Sequence, residues 1–139
     1  MVDRSVIKTK LSSAEARLSE LKFHRAVSLE KLRNDKTLQA AVLHHAQIAV
    51  QACCDIASHV VADEGWGVPG TSKDLFDLLK QHRAITLSVA NEMKALVGFR
   101  NLVVHGYDKL DIRKVHAHLP AYRRSLSRFL RTVAIYAKL

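Results

Sequence analysis

The sequence predicts an all-α protein, a single helical bundle of about five to six helices. Only five Gly and two Pro interrupt the 139 residues, and apolar residues recur at spacings of three and four along most of the chain. No stretch shows the strict alternation of apolar and polar residues that marks a half-buried strand. A chain of this length buries a sizeable core but is too short for two domains, so we expect one domain over residues 1–139.

Two long helical patterns occupy the first half of the chain, approximately over residues 3–33 and 36–62. Further apolar residues flank the main apolar stripe of the second pattern, so we expect that helix to be the most enclosed. The segment EGWGVPG follows and contains four of the seven Gly and Pro residues, which predicts the main loop at Gly65 to Gly70. The stripe of the second pattern consists of Leu38, Val42, Ala46, Ala49, Cys53, Ile56 and Val60.

Three helical segments are predicted after this loop. Thr71 or Ser72 can cap a short helix. A further helix is expected from about Ile85 to Val104, ended by Gly106 in the left-handed conformation. The last segment is expected to begin with a cap at Asp111.

Pro120 predicts a break inside that last segment. A short helix is expected to give way there to a final helix near residues 120–137.

The two cysteines, Cys53 and Cys54, are adjacent and lie within a strongly apolar helical pattern. Neighbouring cysteines bridge each other only with strain, and an apolar environment disfavours a thiolate. We interpret both as buried, reduced residues. A catalytic thiol is the alternative.

The formal net charge of +9 favours an anionic partner, most commonly nucleic acid, with a membrane surface as the alternative. No apolar run approaches the roughly 20 residues that cross a bilayer. The N-terminal MVDRSVIKTK also lacks the apolar block of a signal peptide. These features indicate a bacterial cytoplasmic protein.

The segment GFRNLVVHGY, from Gly98 to Tyr107, concentrates the chemically capable residues. Arg100 has a planar guanidinium that matches a phosphodiester, His105 exchanges a proton near neutral pH, and Tyr107 has a modifiable hydroxyl. On a straight helix Arg100 and His105 point about 140° apart, so one site needs a helix end near His105 or a second subunit. Asn101 shares a face with His105, where it can orient the imidazole or contact the same phosphate.

These residues also have ordinary structural interpretations. Arg100 can form a salt bridge at a helix end, His105 can interact with the helix dipole, and Tyr107 can simply pack.

The pattern R-N-x-x-x-H-x-Y in this segment resembles the signature of the HEPN superfamily, and in particular the HepT toxins of bacterial HepT/MntA toxin–antitoxin pairs. The resemblance extends over roughly residues 36 to 120. It includes the segments LQAAVLHHAQIAVQACCDIASHVVADEGW, SKDLFDLL and YDKLDIRKVHAHLP, which are similar to that family in order and spacing.

The resemblance implies a small, metal-independent ribonuclease without a cofactor, in which Arg100 and His105 are catalytic and Asn101 supports them. It implies a two-fold dimer whose paired motifs line one cleft. It also implies RNA as substrate and an MntA-like nucleotidyltransferase antitoxin that attaches AMP to Tyr107. The residue between His105 and Tyr107 is glycine, where members of the family often have a polar residue.

Two other functions stay open. One is a non-catalytic HEPN module that binds nucleotide or RNA as the partner subunit of a nucleotidyltransferase, and the other is a helical scaffold that only dimerises. The presence of both Arg100 and His105 favours the ribonuclease, because a binding module does not need to retain both.

A basic stripe is predicted on the last helix. Between Lys109 and Leu139 there are eight Lys or Arg and one acid, a local charge of +7. Arg124, Arg128 and Arg131 follow at i, i+4 and i+7, opposite an apolar face. The stripe is either a solvated face, an RNA-backbone track or a docking surface for an acidic antitoxin.

No metal site is predicted. Asp55 and His59 lie four residues apart, which favours a buried, hydrogen-bonded pair that supports the bundle, with a role beside the cleft as the alternative. Two ligands alone make a poor metal site. The other histidines considered complete no ligand set either; they are His44, His45, His116 and His118.

Overall fold

The computed structural model describes residues 2–139 and leaves only Met1 of the predicted 1–139 domain outside. This part of the chain forms six α-helices and one 3₁₀ turn and contains no strand, which confirms the all-α prediction. The helices are α1 (Arg4–Lys22), α2 (Leu29–Asn34), α3 (Lys36–Glu64), α4 (Ser72–Gln81), α5 (Leu87–His105) and α6 (Ile112–Tyr136), with the 3₁₀ turn at Tyr107–Lys109.

Helix α3 lies at the centre of the bundle and packs against each of the other five helices. It contributes twelve buried residues, more than any other helix, so the prediction that it is the most enclosed element is confirmed. Cys53 and Cys54 are among these residues, and both are unbridged, as expected. Burial raises the pKa of Cys54 to about 11 and also raises that of Cys53, which disfavours a thiolate at either position.

Several predicted helix ends are also confirmed. The main loop begins at Gly65, as predicted, and this glycine also ends α3 in the left-handed conformation, with φ 68°. Thr71 begins α4 with a capping box in which Asp74 takes part, and the side chain of Asp111 accepts hydrogen bonds from the first turn of α6. None of the six helices is long and apolar enough to cross a membrane within residues 2–139.

The first predicted helix is wrong as a single element, because residues 23–28 form a turn between α1 and α2. The amides of His24 and Arg25 donate to carbonyls three residues earlier, which tightens the end of α1. The hydroxyl of Ser28 accepts from the amide of Lys31 at 3.1 Å and begins α2. A serine cap thus starts a new helix in a segment that contains neither Gly nor Pro.

The predicted left-handed conformation of Gly106 is also wrong, because its φ is −137° and its ψ is 36°. Its amide donates to the carbonyl of Leu102 at 2.8 Å, and the chain then enters the 3₁₀ turn. Glycine is favoured here by space: an added Cβ would lie 2.8 Å from Cδ1 of Leu102 and would force that side chain to move.

The predicted break at Pro120 does not occur, since α6 continues through it from Ile112 to Tyr136. Proline inside a helix costs about 3 kcal/mol, chiefly through the lost hydrogen bond to the carbonyl four residues earlier. Pro120 itself lies on the exposed side of α6, so its ring does not disturb the core. The buried residues Leu119 and Leu126 on either side hold the helix against the core.

The predicted pair of Asp55 and His59 is wrong as well. Asp55 is exposed and accepts a hydrogen bond from Nε2 of Gln51 at 3.0 Å. Nε2 of His59 instead lies 3.0 Å from Oδ2 of Asp63, although this contact is not aligned as a hydrogen bond. Side chains in a helix lean towards its N-terminus, so each acid reaches the residue four positions before it.

Candidate active site

The side chain of Arg100, on α5, is held by residues of three helices. Its Nη1 donates to Oε1 of Gln51 on α3 at 2.5 Å, and its Nη2 lies 3.4 Å from Oγ of Ser72, the first residue of α4. Its Nε and Nη2 donate to Oδ1 of Asn101 at 3.3 and 2.8 Å. All three partners are neutral, and no carboxylate within residues 2–139 pairs with this guanidinium. Its positive charge therefore remains available to an anion.

Local structure explains how these partners come together. The amide of Gln51 donates from Nε2 to Asp55, one turn along α3, which leaves its Oε1 directed at Arg100. The capping box at Thr71 fixes the start of α4 and thereby places Ser72. Gly98 has no side chain, and a Cβ built there would lie 3.6 Å from Nζ of Lys73, so the end of a lysine side chain from α4 lies over this glycine of α5.

The charge of Arg100 also affects the core behind it. Burial raises the pKa of Cys54, while the nearby guanidinium of Arg100 partly offsets that rise by favouring the thiolate. The arginine thus lies between a buried face of α3 and the solvent, and its own side chain is partly buried.

His105 is the last residue of α5 and is exposed. Helix α5 does end at His105, which is one of the two conditions under which Arg100 and His105 could share a site. Nevertheless, no hydrogen bond or ion pair joins His105 to Arg100 in the described chain, residues 2–139. The amide oxygen of Asn101 contacts the guanidinium, so the recorded contact of Asn101 is with Arg100 and not with His105.

Apolar side chains are exposed around this helix end. Leu102 is 39% exposed and Val104 is 49% exposed, although most aliphatic residues of α5 lie in the core. The end of α5 therefore exposes apolar side chains next to His105 in the sequence.

Tyr107 begins the 3₁₀ turn directly after this surface and is 50% exposed. The two other tyrosines are less exposed. Tyr122 packs against the ring of Phe99, and its pKa is raised by burial. The hydroxyl of Tyr136 donates to Oε2 of Glu64 at 3.0 Å. Tyr107 is thus the tyrosine most accessible to a modifying enzyme.

The three arginines of the predicted stripe, Arg124, Arg128 and Arg131, are exposed on α6 and line a common groove. Nη1 of Arg128 donates to Oε1 of Glu92 at 3.1 Å and to Oγ of Ser88 at 3.2 Å, both on α5. Arg100 and His105 do not line this groove. No cluster of three or more His, Cys, Asp or Glu side chains suited to a metal ion occurs among residues 2–139.

Sequence reasoning did not identify Gln51 and Ser72 as partners of Arg100. The sequence indicates Ser72 only as a possible helix cap, and Gln51 is one polar residue on a largely apolar helix. The sequence shows that Gln51 is an uncharged polar residue on the most enclosed helix. It does not reveal which distant residue Gln51 contacts.

The chain is similar to several known proteins. The chain is 38% identical over 82 residues to the mRNA nuclease HepT of Shewanella oneidensis, covering 59% of this chain and 62% of that protein. It is 25% identical over 139 residues to the tRNA nuclease HepT of Aphanizomenon flos-aquae, covering 95% of each. A solved structure of a tri-AMPylated Shewanella oneidensis HEPN toxin in complex with an MNT antitoxin matches with a TM-score of 0.85. Its sequence identity is 27%, over 97% of this chain and 99% of that one.

The match to a family model extends over most of the chain. Residues 14–133 match the family described as Ribonuclease HepT-like, and this range includes Arg100, His105, Tyr107 and most of every helix except α1. This chain therefore belongs to the HepT-like ribonuclease family.

Proposed function

We propose that this protein is the ribonuclease toxin of a toxin–antitoxin pair and that it cleaves RNA with Arg100 and His105, without a metal. One observation carries the proposal. The guanidinium of Arg100 is held by neutral partners, and Arg100 lies on α5, the helix that ends at the exposed His105. Membership in the HepT-like family and the nuclease names of two relatives support it.

The chemistry of RNA explains why these two residue types suffice. RNA contains its own nucleophile, the 2′-hydroxyl, so cleavage needs a base for that proton, a cation for the crowded phosphorane and an acid for the leaving oxygen. His105 supplies proton transfer, and Arg100 stabilises the charge. Asn101 orients the guanidinium through its amide oxygen.

The proposed active form is a homodimer. One protomer presents one His105, whereas cleavage needs both an acid and a base, and the side chains of Arg100 and His105 point in different directions on α5. A two-fold partner supplies the second histidine and brings the paired motifs into one cleft. The exposed Leu102 and Val104 provide apolar surface for that contact.

The proposed regulator is a nucleotidyltransferase antitoxin that attaches AMP to Tyr107. The solved Shewanella toxin is AMPylated and bound to an MNT antitoxin, and Tyr107 is half-exposed two residues after His105. An adenylated Tyr107 introduces a phosphodiester beside the site, where it competes with substrate phosphate for Arg100. Modification therefore inhibits by occupying the site.

The test is cleavage of a labelled RNA by purified protein in excess EDTA. We expect the parent to cut and His105→Ala to fold normally and lose about 10²–10⁴-fold in rate, the usual contribution of general acid–base catalysis. His44→Ala, at an exposed histidine on α3, is the matched control and should retain activity. Full activity of His105→Ala, or complete loss of parent activity in EDTA, would refute the mechanism. If the parent binds RNA without cutting it, the non-catalytic binding subunit is the correct function.

A further inference from the structure

A groove of about 620 Å³ lies between α6, α5 and the end of α1, away from the residues of the candidate active site. We call it the basic groove, because six cations and a single carboxylate, Glu92, line it. The cations are Lys22, Arg25, Arg123, Arg124, Arg128 and Arg131.

Most of this charge is not neutralised. Glu92 pairs with Arg128 at 3.1 Å, and the other five cations have no carboxylate partner within residues 2–139. Burial lowers the pKa of Arg123, and the charges of Arg124 and Arg25 lower it further. The cations are therefore close enough to repel one another, and an anion in the basic groove relieves that repulsion.

The residue types of the basic groove indicate which anion fits. Five of the six cations are arginines, whose planar guanidinium binds phosphate through two parallel hydrogen bonds. None of the lining residues is aromatic or a large aliphatic residue. Nucleobases stack best on aromatic rings, and protein interfaces combine arginine with buried aromatic or apolar residues, so the lining lacks both an aromatic platform for bases and an apolar centre for a protein. A sugar–phosphate backbone needs neither.

The basic groove lies apart from the proposed catalytic residues, Arg100 and His105. Glu92 at its edge precedes Arg100 by eight residues on α5, about 12 Å along the helix axis. We propose that the basic groove binds the phosphate backbone of the RNA substrate at this distance from Arg100 and His105, adding affinity without taking part in catalysis. This inference rests on the proposed ribonuclease function.

Binding can be measured separately from cleavage. The probe is a single-stranded, 2′-O-methylated oligonucleotide, which lacks the attacking hydroxyl, and its affinity for the full chain is followed by fluorescence anisotropy at several salt concentrations. Arg124→Gln/Arg131→Gln removes two exposed cations from the basic groove. Lys8→Gln/Lys80→Gln removes two exposed cations elsewhere and is the matched control. Circular dichroism verifies that both variants fold.

We expect the groove variant to bind about tenfold more weakly at low salt, and its slope of log affinity against log salt to fall by about 1.4, as for two lost single-strand phosphate contacts. The control pair should change the affinity by less than about twofold. With cleavable RNA, the groove variant should raise KM and leave kcat unchanged.

Equal weakening by both variants would overturn the proposal, because net charge alone would explain it. Unchanged RNA affinity together with lost binding of the nucleotidyltransferase would also overturn it, since the basic groove would then be a protein-docking surface. If the groove variant loses affinity while the parent cuts no RNA, the basic groove stands and the ribonuclease function fails.

Discussion

The guanidinium of Arg100 donates a hydrogen bond of 2.5 Å to Oε1 of Gln51, which joins α5 to α3 across 49 positions of sequence. The bond ties the guanidinium to α3, so the fold itself orients the arginine. Electrostatic stabilisation is most effective when the donors need no rearrangement during the reaction. Gln51 is therefore a positioning residue for the proposed cleavage.

Replacing Gln51 should slow cleavage without unfolding the protein. Gln51→Leu removes a hydrogen bond to a charged group, worth roughly 1.5–3 kcal/mol, so we expect kcat to fall by about tenfold or more. Single-turnover cleavage measures this effect. Gln47→Leu, on the same helix and without a recorded contact to Arg100, should leave the rate unchanged. Equal rates for both variants would show that Gln51 does not orient the arginine.

A charge on the end of α5 should separate the proposed dimer. Val104→Glu introduces a carboxylate into the exposed apolar surface beside His105, and burying it unpaired in an interface is costly. We expect a monomer by light scattering at micromolar concentration, with cleavage lost. Ile135→Glu, at a 77% exposed position on α6, is the control and should remain a dimer. A parent protein that is monomeric and fully active would rule out the shared cleft.

Tyr107→Phe should remain a nuclease and escape inhibition. The variant lacks the hydroxyl that accepts AMP but keeps Arg100 and His105. The parent and the variant are incubated with the cognate nucleotidyltransferase and ATP, the added AMP is located by peptide mass spectrometry, and RNA cleavage is assayed before and after. If AMP is found on Tyr122 or Tyr136, or if the nucleotidyltransferase inhibits the variant as strongly as the parent, Tyr107 is only a packing residue.

The hydrogen bond from Tyr136 to Glu64 should stabilise the fold in a pH-dependent way. Burial and this bond raise the pKa of Tyr136 from 10.0 to about 12. Because the folded pKa is the higher one, the stabilisation is complete below about pH 10 and is lost as the pH rises through about 12. Tyr136→Phe should lower the free energy of unfolding by about 1 kcal/mol at neutral pH. Urea unfolding from neutral to alkaline pH measures this difference. A difference that does not shrink above about pH 10 contradicts the role of the tyrosine proton.

Local signals predicted much of the fold. Thr71 and Asp111 cap helices through contacts with residues only two or three positions away, and these contacts are readable in the sequence. Pro120 misled for the opposite reason: the packing of its neighbours outweighs its local cost. The preference for glycine at position 106 comes from the crowding that a Cβ would cause against Leu102, which the sequence alone does not reveal.

The candidate site was predictable only in part. The end of α5 at His105 follows from its own segment, whereas the contacts of Arg100 depend on how α3 and α4 pack against α5. Gln51 and Ser72 lie 49 and 28 positions before the arginine, and no local pattern connects them to it. The grouping of Arg25 with Arg123 in the basic groove likewise depends on the tertiary fold.

The burial of Cys53 and Cys54 has a consequence for the oxidation of this protein. Peroxides and disulfides react with exposed thiolates, and both sulfurs here are enclosed and held in the protonated form. Arg100 is near enough to Cys54 to influence the pKa of its thiol, so oxidation of that sulfur would alter the surroundings of the arginine, but burial shields it from an oxidant. The enclosed thiols are thereby protected from oxidants in the surrounding solution.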